Sequence, residues 1–239
     1  MKIIAKDILE KLNSIQQGEN DIRFLNMYQG LPISHIGKIL SFDECEVRFR
    51  ISKYQGLCLQ LELSTILLHD QFPNKIKAIP QKIDLSAEEI SLTGLEYFPT
   101  TIDSRQQIRV ETNKPVKGIL ENGTKAEIKI TEVSKTGIGL SIHRRDFNPK
   151  AFGKGKPVRM AFMLPVGSDA DMHPLSIEGI VRNVRPMSND FYFRLGVETF
   201  PRPSVEAHIE KYIMIRQEEI SVEMARLCSL NISSLFVGQ

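Results

Sequence analysis

The chain has 239 residues, 41% of them hydrophobic and 25% charged, with a net charge of +2. That length suits one large domain or two ordinary ones, and the composition argues against long disordered stretches. So small a net charge excludes a global field drawing the protein onto nucleic acid or anionic lipid, so any anion site must be local.

The first apolar stripe, Ile8, Leu9, Leu12 and Ile15, has helical spacing and predicts a helix from about Lys6 to Gln16, ended by Gly18. Its interleaved charges read as an amphipathic helix and not as a signal peptide. From His35 the period changes. Glu46, Arg48 and Arg50 alternate with Val47, Phe49 and Ile51, the two-residue repeat of a half-buried strand. Leu57–Leu68 fits a buried helix or a strand, and strand-like runs follow at Ile76–Ile83 and Ile90–Tyr97. Residues 1–98 therefore read as a β-rich domain with a leading helix.

Residues 99–109 open with proline, lack apolar periodicity and read as a linker that carries arginines. Short strands follow at Ile108–Glu111, Val116–Leu120, Lys125–Val133, Gly137–Ile142, Val158–Leu164, Leu175–Val184 and Phe191–Phe200, separated by glycines and prolines. Such spacing predicts an antiparallel barrel or sandwich over residues 110–203. Pro201 and Pro203 stop the last strand, and Ser204 is expected to cap a helix running to about Leu227 within residues 204–239. Val205, Ile209, Ile213, Ile220, Met224 and Leu227 form its stripe, which would lie on the barrel or on a second chain, making a homodimer. The fold class is mainly β: two β-barrel-like domains in series with helices at both ends. Cys45, Cys58 and Cys228 are odd in number and lack C-x-x-C spacing, which fits buried free thiols in a reducing cytoplasm. No apolar run approaches the roughly 20 residues of a membrane span, so no membrane insertion is expected.

Two short patterns bear chemistry. Arg105-Gln-Gln-Ile-Arg109 places two guanidinium groups four residues apart, able to fork onto phosphate oxygens or onto the O6 and N7 of guanine. Taken alone, it is most simply a solvated basic face. Glu132-Val-Ser134-Lys-Thr-Gly137-Ile-Gly139 lies where one strand ends and the next begins, and combines a carboxylate, a hydroxyl and a glycine turn. Taken alone, it is a plain turn. A near copy, Glu89-Ile-Ser91-Leu-Thr-Gly94, lies upstream and hints at a duplicated barrel without establishing one. The histidines lack metal-ligand spacing, Asp169, Asp171 and His173 are too few for a metal site, and neither a phosphate loop nor a G-x-S-x-G elbow occurs.

Together, an arginine pair followed one hairpin later by acid-x-Ser-x-x-Gly resembles the PilZ domain, whose pattern is R-x-x-x-R and then D/N-x-S-x-x-G. Arg105, Arg109, Ser134 and Gly137 match, while Glu132 stands where the family has Asp or Asn. The runs Gly179–Arg182 and Tyr192–Val197 and the helix after them are similar to the family's closing elements, so the resemblance spans about Arg105 to Glu219. The two-domain layout resembles flagellar-brake proteins of the YcgR type. The resemblance implies a non-enzymatic receptor for cyclic di-GMP, with Arg105, Arg109, Glu132, Ser134 and Gly137 as ligand contacts. It also implies an arginine linker that resets the domain arrangement, and an unidentified protein partner in motility or surface behaviour. A second reading is an adaptor of the same fold that acts through protein contacts without nucleotide. The extra methylene of Glu132 is expected to weaken the guanine contact, so that Glu132→Asp would tighten binding.

Overall fold

A computed structural model describes residues 3–98, 108–165, 172–188 and 191–230. The chain divides into two compact units, residues 1–106 with 221–239 and residues 107–220. Arg105 and the linker up to residue 107 lie outside the described residues.

The first unit begins with α1 (Lys6–Gln17) and holds β1 (Ile22–Tyr28), β2 (Leu31–Phe42), β3 (Val47–Ile51), α2 (Lys53–Glu62), β4 (Thr65–Leu68), β5 (Lys75–Asp84) and β6 (Glu89–Phe98). Its strands close into an antiparallel barrel in the order β1-β2-β3-β6-β5-β4. Leu57–Leu68, open between helix and strand in the sequence, is both: α2 ends at Leu63, in the left-handed region, and β4 starts two residues later. The predicted stripe of α1 buries Ile8, Leu12 and Ile15, with Leu9 partly buried, against Phe24, Phe49 and Ile76. Phe24 and Phe49 meet edge to face at 5.1 Å, the arrangement their ring quadrupoles favour.

The second unit holds β7 (Arg109–Glu121), β8 (Lys125–Ser134), β9 (Gly137–His143), α3 (Pro149–Phe152), β10 (Pro157–Pro165), β11 (Met172–Pro186) and β12 (Tyr192–Thr199). These strands form a second closed barrel, β10-β11-β12-β9-β8-β7. Counted along the chain, both barrels have the order first-second-third-sixth-fifth-fourth. Alternation of buried and exposed residues is regular on β8 and β10, and Ile128, Ile130, Leu140, Ile142, Phe162 and Leu195 fill the interior. Ile108–Glu111 and Val116–Leu120, expected as two strands, belong to the single strand β7. An irregularity between Glu111 and Val116 shifts its register on β8, so the run with Pro115 bulges out and does not end the ladder.

The helix α4 spans Pro203–Ser229. Ser204 is inside it and is not its cap. Pro203 is the first helical residue, where a missing N–H costs nothing and the fixed φ suits the helix. Its residues up to Ile220 belong to the second unit and those from Ser221 to the first. Of the stripe, Ile209, Ile220 and Met224 are buried within the single chain, and Val205, Ile213 and Leu227 are half-buried. Between Ile209 and Ile220 sits a residue that the apolar pattern skipped. Arg216 is buried, donates from Nε to the Glu111 carbonyl at 3.0 Å and from Nη1 to Glu219 at 3.0 Å. A buried guanidinium is tolerable only with such partners.

Candidate functional site on the second barrel

Backbone register assembles the motif. Arg109, the first residue of β7, is directly opposite Ser134, the last of β8, and Ser134 is opposite Gly137, the first of β9. Three residues from different parts of the predicted pattern therefore form one row across three strands. Val110 and Val133, the inward neighbours, are buried in the barrel, so alternation turns Arg109, Glu111 and Glu132 away from the interior, with Ser134 on their side of the sheet but itself buried.

The hairpin turn is self-supporting. Ser134 donates its hydroxyl to the Gly137 carbonyl at 3.0 Å and is only 3% exposed. A Cβ on Gly137 would lie 3.3 Å from that hydroxyl and 3.4 Å from the Val197 carbonyl, so the glycine here provides close packing at a negative φ. At the tip, Lys135 bonds Glu210 at 2.6 Å and Glu206 at 3.1 Å, both on α4. Those two carboxylates, Glu210 first, hold its ammonium above the usual lysine range. The exposed setting makes such pairs weak and salt-sensitive.

One row along the sheet lies Glu132. It faces Glu111 on β7 and Gly139 on β9, and Gly139 in turn faces Gly196 on β12. Two adjacent glycines leave a strip of the outer face without side chains. The next row runs Lys117, Lys129, Ser141, Arg194 and Arg185 across five strands. Two of its cross-strand pairs, Lys117 with Lys129 and Arg194 with Arg185, set like charges opposite each other, which is unfavourable without a counter-charge. Arg194 finds one, since its guanidinium bonds the Glu132 carboxylate. Lys129 lies over the Tyr192 ring at 5.4 Å, within cation–π range.

A cleft of 270 Å³ opens here, lined by Glu111, Thr112, Thr131, Glu132, Ser141 and Arg194 among others. Pockets for whole drug-sized ligands run from roughly 300 to 1,000 Å³. The cleft therefore has room for one ring system with the rest of a larger ligand held outside. Its walls offer carboxylate acceptors from Glu111 and Glu132 beside one cationic donor, Arg194, the chemistry that matches a base carrying both N–H donors and ring acceptors.

Of the five residues expected at the site, Arg109, Glu132, Ser134 and Gly137 share this face, and Arg105 lies outside the described residues. Sequence reasoning missed Arg194 and Glu111, and gave Gly139 no role although it ends the same pattern. The signal was faint: a second glycine two residues after Gly137, and an arginine inside the alternating run of β12. Among the described residues no group of histidine, cysteine or carboxylate side chains could hold a metal ion, and no helix is long and apolar enough to cross a membrane.

No family model and no curated protein matches the chain. Several solved structures do. The Bacillus subtilis inhibitor of motility MotI/DgrA is 13% identical over 83% of this chain and 96% of its own, with a TM-score of 0.45. The K. pneumonia MrkH–c-di-GMP complex is 15% identical over 93% and 98%, with a TM-score of 0.46. Escherichia coli YcgR in complex with c-di-GMP is 10% identical over 92% and 93%, with a TM-score of 0.43. Identities of this size establish no residue-by-residue correspondence.

Proposed function

We propose that this chain is a PilZ-type receptor whose second barrel binds cyclic di-GMP. The observation that carries the reading is the register that aligns Arg109 with Ser134 and Gly137, beside the cleft that holds Glu132. A guanine base enters the cleft and donates its N1–H and N2 amine to the carboxylate. Arg109 and Arg105 hold the phosphodiester charges and the guanine O6 and N7 edge. The arginines border the segment that joins the two barrels in sequence, so binding resets the domain arrangement and changes affinity for a protein partner in motility or surface behaviour. The second reading is an adaptor without nucleotide. It is favoured by the Ser134 hydroxyl, already engaged within its own turn.

Calorimetric titration of the full chain with cyclic di-GMP separates the two. Arg105→Ala and Arg109→Ala are each expected to weaken binding by about 1–3 kcal/mol, the range for a bidentate arginine–guanine contact. Affinity should also fall as salt is added, because a doubly charged anion is held near the surface. Unchanged affinity in both variants overturns the site, and no binding by any of the proteins establishes the adaptor reading.

A further inference from the structure

We infer that Arg194 and Gly139 are positioning residues that fit a glutamate, one methylene longer than aspartate, to the base-binding role at position 132. The inference rests on the nucleotide reading above. Three observations support it. First, a Cβ on Gly139 would lie 2.7 Å from Glu132 Oε2, 3.0 Å from its Cβ and 3.4 Å from its Cδ. The side chain of Glu132 thus folds across β9 through the space that the missing Cβ leaves, which is where the extra length goes. Second, Arg194 reaches diagonally from β12, where it pairs with Ser141 two residues beyond Gly139, and donates to Glu132 Oε1. One oxygen is anchored, and among the described residues Oε2 has no hydrogen-bond partner. Third, Glu132 is opposite Glu111 on β7. Two carboxylates in that relation repel, and the Arg194 guanidinium offsets the repulsion at the cleft they share.

The result is a carboxylate with one oxygen bonded to Arg194, the other set against Gly139, and 18% of the side chain exposed at the cleft it lines. A base bringing two N–H donors meets an acceptor that is already oriented, so less freedom is lost on binding. This reverses the expectation drawn from side-chain length alone. An aspartate at 132 is too short to keep the Arg194 contact, so Glu132→Asp weakens binding in this chain.

The test is a double-mutant cycle read by calorimetry with cyclic di-GMP at one salt concentration. Gly139→Ala should weaken binding about tenfold or more with Glu at position 132, the scale of losing one charge-assisted hydrogen bond. With Glu132→Asp in the same chain, the added methyl still meets the residue's Cβ at 3.0 Å but no longer meets the end of a glutamate, and Gly139→Ala should cost less than about threefold. Arg194→Gln should weaken binding about tenfold, and Arg194→Lys should recover part of the loss, since it restores charge without the planar fork. An equal cost of Gly139→Ala in both backgrounds, or full affinity in Arg194→Gln, overturns the inference. If the unsubstituted protein does not bind the nucleotide, the receptor reading fails, and the clamp is judged separately on crystal structures of ligand-free Gly139→Ala and Arg194→Gln. A carboxylate displaced from β9 in both supports it, and an unmoved one overturns it.

Discussion

The two barrels share one strand order and differ in what each places inside and outside. The first carries a polar network in its interior. Asn26 donates to the Ser64 carbonyl at 2.6 Å and accepts from Gln55 at 2.7 Å and Thr65 at 2.7 Å, and Asn26, Gln55 and Thr65 are all buried. The second has no such network among its described residues: its buried lining is mostly aliphatic and aromatic, with Thr199 the polar member in phase with Leu195 and Val197 on β12, and its acidic and basic groups lie on the side of the sheet that carries Glu132. The same contrast holds for the two copies of Glu-x-Ser-x-x-Gly. In the second barrel the pattern folds over a hairpin, from β8 into β9. In the first it lies wholly within β6, with Gly94 at φ 62° beside a register shift between β5 and β6. The strand order repeats, but these six-residue patterns occupy different strands of the repeat. Identical spacing therefore yields a turn in one place and a bulge in the other; arginines flank both, but on β3 Arg48 and Arg50 pair with Glu89 of the bulged copy, and only the turn lies beside a cleft that holds its acid.

The largest expected effect tests the interior difference. Asn26→Leu leaves the Ser64 carbonyl, Gln55 and Thr65 without their shared partner, and should cost about 3 kcal/mol. Hydrogen exchange should show the loss in β1–β6, and unchanged protection there would mean that the network contributes nothing net. A smaller effect is expected at alkaline pH. Burial pushes the Cys58 thiol, in the first unit, up to about 12, and burial likewise pushes the Tyr212 phenol, in the second, up to about 12. In the unfolded chain these groups lose their protons near roughly pH 8.5 and 10 respectively. Above those values the unfolded state binds fewer protons than the folded one, so stability falls as pH rises toward 12, by up to about 1.4 kcal/mol per pH unit for each group. The first unit should begin to lose protection from about pH 8.5 and the second from about pH 10. Exchange measured in both units across that range checks the order, and simultaneous loss would break the distinction. The smallest effect concerns the copy on β6. Glu89 pairs with Arg48 at 3.0 Å and Arg50 at 3.7 Å, both exposed. Glu89→Gln should change stability by no more than about 0.5 kcal/mol and leave cyclic di-GMP affinity unaltered. A loss of affinity would make the first barrel a second site.

The strands were legible because a two-residue alternation is a local property, visible in Val47, Phe49 and Ile51 without knowledge of any partner. The α1 stripe and the stop at Gly18 were legible for the same reason. The break expected between Glu111 and Val116 was not real. Pro115 reads locally as an end of strand, and only the pairing of β7 with β8 shows that the ladder resumes beyond it. Ser204 read as a cap because a serine after prolines commonly is one, yet Pro203 itself fits the first helical turn. Arg216 broke the apolar stripe of α4, and its burial depends on a carbonyl 105 residues away.

By itself, the sequence determined the class of fold, the positions of most strands and the arginine, acid, serine and glycine pattern, because periodicity and short motifs depend on neighbours along the chain. Tertiary structure alone decided which of those residues meet. Register aligned Arg109 with Ser134 and Gly137, put a glycine opposite Glu132, and brought Arg194 from 62 residues away onto its carboxylate. Strand pairing sets those distances, and it is selected by the closure of the whole barrel, which no short segment of the chain specifies.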